Sequence, residues 1–217
     1  MTIATRINAT PYHLTGLITA GALLLATPMA HAHHPMGGAT PATFMQGLLS
    51  GIGHPVIGLD HFAFLLVAAL LSITLNGAAR YLVPLAFVAA TVAGTLYHLG
   101  AADLPMTETV IALSALLGGM AVLLKRSAPA LLIAGLFSVI GVFHGYAYGE
   151  AIIGAERTPL LSYLFGFALV QYAIIAGGVK AVTGMAAKSE RLQTLAVRFG
   201  GLFATATGAL FLGMNMS

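Results

Sequence analysis

From residue 57 onward, long apolar runs alternate with brief polar interruptions. Their spacing predicts six membrane-crossing helices, near 57–79, 81–99, 106–124, 128–148, 160–180 and 196–214, since a helix needs about 20 mostly apolar residues to cross the hydrocarbon core. The interruptions are Asn76-Gly77 with Arg80, then Gly100 to Pro105, Lys125-Arg126 with Pro129, Gly149 to Pro159, and Lys180 to Arg198. Glycine recurs inside the runs, as at Gly118-Gly119 and Gly177-Gly178. Small residues let membrane helices approach closely, so the pattern predicts an all-α, polytopic helix bundle.

Ahead of these runs, residues 1–32 have the layout of a secretory signal. Arg6 lies in a polar start, an apolar stretch follows from Leu14 to Ala26, and "TPMAHA" ends it with Pro28 and small residues at Ala30 and Ala32. That A-x-A pattern predicts cleavage, with a mature chain from His33 and a six-span membrane domain over 33–217. An uncleaved first helix is the alternative, and it too delivers the chain to the outer side near His33.

Composition narrows the class. The chain is 59% hydrophobic and 7% charged, against about a quarter charged for a soluble domain. There is no cysteine among the 217 residues, which excludes disulfides, thiolate metal sites and Fe–S clusters. The net charge of +3 comes from scattered bases with no basic patch, so no nucleic-acid partner is expected. The charges report topology instead. With His33 outside, the inner loops carry Arg80, Lys125, Arg126, Lys180, Lys188, Arg191 and Arg198, while the outer ones carry Asp103, Glu108, Glu150, Glu156 and one base, Arg157. This positive-inside bias predicts six spans with both mature ends outside.

On that topology the ionisable residues gather at one face. His54, Asp60 and His61 fall at the outer entry to the first span, His144 and Glu150 at the outer end of the fourth, and His33 and His34 on the outer N-terminal segment. Ionisable groups in a bilayer are costly and usually face a bundle interior or a water-filled path. A divalent cation offsets that cost. Asp60 and Glu150 would balance its two charges, and His54, His61 and His144 would add nitrogen ligands. A nitrogen and oxygen set without sulfur suits nickel, cobalt or zinc.

Helix geometry limits the picture. Pro55 suits a first helical turn with His54 as its cap, yet on a straight helix His61 would then lie about 10 Å further along. Either "HPVIG" unwinds, which Gly53 and Gly58 permit, or the histidines serve successive sites. An irregular start to the first span is expected, and likewise an early end to the fourth helix at Gly145 or Gly149. His98 reads first as a helix-to-helix hydrogen bond, and Glu108 as a helix N-terminal acid. Both are weaker candidates for metal contact, as are His33 and His34.

At these residues the sequence resembles the HupE/UreJ family of nickel and cobalt permeases. "HPVIGLDH", His54 to His61, matches every fixed position of the family's H-P-x-x-G-x-D-H pattern, and "FHGYAYGE", Phe143 to Glu150, resembles its second hallmark, with the acid one position earlier than in some members. "VPLAF" and "ALSALLGG" are similar too, and the resemblance covers roughly residues 50–180. It implies uptake of Ni²⁺ or Co²⁺ as substrate across a bacterial cytoplasmic membrane. Where many members carry a fifth-span histidine, this chain reads "VQYAIIAGG", with Gln171 and Tyr172, so no ligand is carried over there.

The leading expectation is therefore a metal permease, not an enzyme, with no resident cofactor and with a metal ion and the lipid bilayer as partners. No phosphate-binding G-x-x-x-x-G-K-[ST] loop is present, so the drive would be a gradient, a coupled ion or intracellular capture. The alternative is an intramembrane metal-dependent hydrolase with a zinc held by His and Asp. A third option, haem held by His98 and His144, leaves Asp60 and Glu150 unexplained.

Overall fold

The computed structural model describes residues 39–100 and 103–216, so the expected signal segment and both His33 and His34 lie outside the described residues. Eight α-helices follow: α1 Phe44–Ile57, α2 Leu59–Ser72, α3 Ala79–Leu82, α4 Pro84–Gly100, α5 Thr107–Leu123, α6 Ala130–Gly149, α7 Arg157–Lys188 and α8 Glu190–Asn215, with a 3₁₀ turn over Glu150–Ile152 after α6. Among the described residues there is no strand.

Among the described residues, four helical stretches are long and apolar enough to cross a membrane: Ala79–Gly100, Ala130–Ile152, Arg157–Lys188 and Glu190–Asn215. The pair α1 and α2, bent by 76°, makes a fifth if it is one broken span, and Thr107–Leu123 is a shorter apolar helix. The expected run at 57–79 is thus corrected at both ends, since its helix stops at Ser72. Its helix begins upstream at Phe44, breaks at Gly58 and resumes at Leu59. Thr43 starts α1 with a capping box: Gln46 N–H donates to Thr43 Oγ1, and Thr43 N–H donates to Gln46 Oε1. Pattern reading missed α1 because "FMQGLLSGIG" is short and interrupted by Gln46 and Ser50.

The helices pack in close pairs, α4 with α6, α5 with α8 and α1 with α7, while α2 runs between α5, α7 and α8. Glycine sets these approaches. A Cβ at Gly145 would collide with the Thr91 backbone, one at Gly51 with the Tyr163 carbonyl, and one at Gly208 with the Leu116 amide. Of the glycine pairs named within the runs, Gly118 packs on Val67, Gly119 on α8 and Gly178 on Ala69, while Gly177 faces open space.

Polarity is reversed relative to a water-soluble bundle. Leu131, Phe165 and Phe199 are exposed, whereas His54, Asp60, His61, His144 and Gln171 are buried at 0–2% exposure. An apolar exterior around ionisable groups is what lipid, rather than water, selects. Phe64, Phe87 and Phe137 join α2, α4 and α6 in the main core.

Candidate functional site

The break between α1 and α2 builds the site. Gly58 sits in extended backbone at φ −67° and ψ 101°, and its N–H donates to the His54 carbonyl to close α1. His54 and Pro55 therefore occupy the last turn of α1, not the cap and first turn of a span. Asp60 falls in the first turn of α2, where a carboxylate suits the helix dipole. Across the bend the His54 and His61 rings approach to 5.8 Å between centroids. The unwinding expected in "HPVIG" is confined to Gly58, and Gly53 stays helical.

Proton counting fixes the histidine tautomers. Tyr163 Oη–H donates to the Tyr148 carbonyl at 2.7 Å, so at 3.0 Å its oxygen accepts from His54 Nδ1–H. The lone pair of His54 is then on Nε2. Ser114 Oγ–H donates to the Ile111 carbonyl at 2.7 Å, so its oxygen accepts from His144 Nε2–H at 3.2 Å. His144 Nδ1 must then accept, and His61 Nδ1–H donates to it at 2.8 Å. His61 thereby also carries its lone pair on Nε2. Both nitrogens of His144 are committed.

Asp60 is fully buried. Its Oδ1 accepts from the His61 backbone N–H at 2.8 Å, while Oδ2 has no hydrogen-bond partner. Tyr148 stands between the two histidine rings, 4.9 Å from His54 and 4.5 Å from His61 by centroid, and its hydroxyl is also unpartnered. Among the described residues, no three His, Asp or Glu side chains are gathered in metal-holding geometry.

The structure thus brings together His54, Asp60, His61 and His144 but not Glu150. α6 continues through Gly145 and ends at Gly149, the later of the two glycines expected to end it, which leaves Glu150 exposed on the 3₁₀ turn. Glu150 instead lines an open cleft of about 440 Å³ with His98, Asp103 and Glu108. His98 packs its ring on Tyr146 at 4.1 Å, and its Nδ1 has no hydrogen-bond partner. Sequence reasoning missed Ser114, Tyr148 and Tyr163. Tyr148 lies inside "FHGYAYGE", whereas Ser114 and Tyr163 sit in apolar runs that give them no signal.

The family described as HupE / UreJ protein matches residues 21–211. Protein HupE of Rhizobium leguminosarum bv. viciae is 31% identical over 201 residues, covering 90% of this chain and 97% of that protein. No solved structure matches.

Proposed function

The chain belongs to the HupE / UreJ protein family, and on that footing we propose that it carries Ni²⁺ or Co²⁺ across a bacterial cytoplasmic membrane, inward from the outer side. The observation that carries this reading is the meeting, across the Gly58 bend, of two buried imidazoles, His54 and His61, each held at Nδ1, with the buried carboxylate of Asp60, whose Oδ2 has no hydrogen-bond partner. A histidine ligand is oriented when its other ring nitrogen donates to a fixed acceptor. With metal–nitrogen bonds of about 2.1 Å, two imidazoles on one ion have centroids roughly 5–6 Å apart, and His54 and His61 stand at 5.8 Å.

His144 then acts as the residue that holds the tautomer of His61 rather than as a ligand. Glu150, with His98 and Glu108, would make the first outer contact with the arriving ion. A hydrolase needs three ligands fixed around a resident ion. A transported ion must be bound weakly enough to leave, so its donors need not close a full shell around a resident ion. The reading includes six crossings, with the bent pair α1–α2 as the first and Thr107–Leu123 as a short third.

The test is accumulation of Ni²⁺, Co²⁺ and Zn²⁺ at submicromolar metal in cells expressing the chain, beside Asp60→Ala and His54→Ala. Accumulation of one metal that both substitutions abolish, with the variants still inserted, is the expected result. Normal uptake by both variants would sink the site assignment.

A further inference from the structure

Gln171 is fully buried in α7, and its amide nitrogen has no hydrogen-bond partner. It interrupts a buried stripe of Tyr163, Phe167, Ile175 and Val179. At one end of that stripe Tyr163 bonds His54, and Phe167 packs on Tyr148 at 5.4 Å. Gln171 lies two turns further along, about 12 Å by helical rise, toward the end carrying Lys180 and Lys188. Its amide oxygen meets Thr91 Oγ1 at 3.3 Å, and the backbone of Thr91 lies directly against Gly145, beside His144.

Thr91 has one hydroxyl proton, and the Val88 carbonyl takes it at 2.8 Å. Thr91 Oγ1 can then only accept from Gln171. The amide group is correctly placed with nitrogen and oxygen exchanged, an assignment that only the hydrogen-bond network decides. Gln171 Nε2–H then donates to Thr91 Oγ1, and the buried atom left without a partner is the carbonyl oxygen Oε1. A buried carbonyl without a donor is costly and is a hard-oxygen ligand for a cation.

We propose that Gln171 Oε1, held in place by Thr91, is a second station for the metal ion on the inner side of the His54, Asp60 and His61 set. The inference rests on the transport reading and adds a stage to it. A path needs sites from which the ion can depart. A neutral oxygen after a carboxylate and two imidazoles gives a weaker site next in line, so the ion is handed inward rather than trapped. Thr91 is the positioning residue, and Gln171 touches the ion.

The test compares wild type, Gln171→Leu and Gln171→Glu, each purified full length and reconstituted in proteoliposomes. Ni²⁺ uptake is measured against concentration, and Ni²⁺ binding is measured by calorimetry in detergent. Gln171→Leu removes the oxygen and is expected to lower the maximal rate about tenfold or more, the scale of one hydrogen-bond-strength contact to a charge, with Ni²⁺ binding unchanged. Gln171→Glu keeps an oxygen at that place and is expected to restore most of the rate. Unchanged transport by Gln171→Leu overturns the inference. So does a loss shared equally by both variants together with lost binding, since that marks a packing role. A wild-type protein that neither binds nor transports Ni²⁺ overturns the transport reading itself.

Discussion

At the scale of single residues, three hydroxyls behave alike. Tyr163, Ser114 and Thr91 each spend their proton on a backbone carbonyl and so turn an oxygen, as an acceptor, toward a histidine or glutamine. A histidine between water molecules would exchange tautomers freely; here each is bound to one. Removing the acceptor frees the wrong nitrogen to carry the proton. Tyr163→Phe is therefore expected to weaken Ni²⁺ binding about 10–100-fold, the usual cost of losing an outer partner of a metal ligand. Ser114→Ala acts through two histidines in series and should cost less than Tyr163→Phe. Calorimetric titration of the purified variants checks the order, and equal binding by Tyr163→Phe and wild type would show that the tautomer of His54 is not fixed by this contact. The asymmetry in what the sequence revealed has the same origin. His54, Asp60, His61 and His144 stand out because an ionisable group in an apolar run is expensive and calls for a reason. A serine or threonine there is cheap, because it bonds a carbonyl of its own helix, and a tyrosine brings a large apolar ring with a single hydroxyl to place, so Ser114 and Tyr163 carry no mark in the sequence.

At the scale of elements, the decisive feature is one residue of extended backbone between two helices. Three of the six apolar runs match observed helices to within about three residues, and the last two lie inside the longer helices Arg157–Lys188 and Glu190–Asn215, because length and apolarity suffice to place a span. The first run did not show its true form. Pro55 reads as a helix start by its statistics, but it lies inside α1, where the missing N–H weakens the last turn just before the chain bends at Gly58. Tertiary packing of α1 on α7, through Gly47 and Gly51, holds a helix that its own sequence only half specifies. Gly58 has ordinary φ, so alanine is permitted there by the backbone. Its Cβ, however, would lie 2.6 Å from His61 Cδ2, and His61 is buried with its ring pinned by His144. Gly58→Ala is thus expected to displace the ring, at a cost of about 1–3 kcal/mol for overpacking, and to lower Ni²⁺ affinity more than thermal stability. Parallel measurement of Tm and binding separates the two. A variant with lowered Tm and wild-type affinity would mean that His61 adapts without leaving its place.

At the scale of the whole molecule, the count of crossings depends on α5. Thr107–Leu123 has 17 residues, about 26 Å by helical rise, at the short limit for spanning hydrocarbon about 30 Å thick. Two observations argue that it crosses. It packs along the length of α8, which is long and apolar enough to span, and its two ends carry opposite charge, Asp103 and Glu108 before or within its first turn and Lys125 and Arg126 after its last. If α5 crosses, Asp103 and Glu156 share the outer face and Ser127 lies inside. The chain has no cysteine, so single substitutions report without background. Asp103→Cys and Glu156→Cys are expected to react with a membrane-impermeant maleimide in intact spheroplasts, and Ser127→Cys only after permeabilisation. Equal labelling of positions 103 and 127 would place both ends of α5 on one side. The outer cleft of His98, Asp103, Glu108 and Glu150 would then lie on the same face as Lys125 and Arg126, and the basic residues would repel the ion that the cleft is proposed to collect.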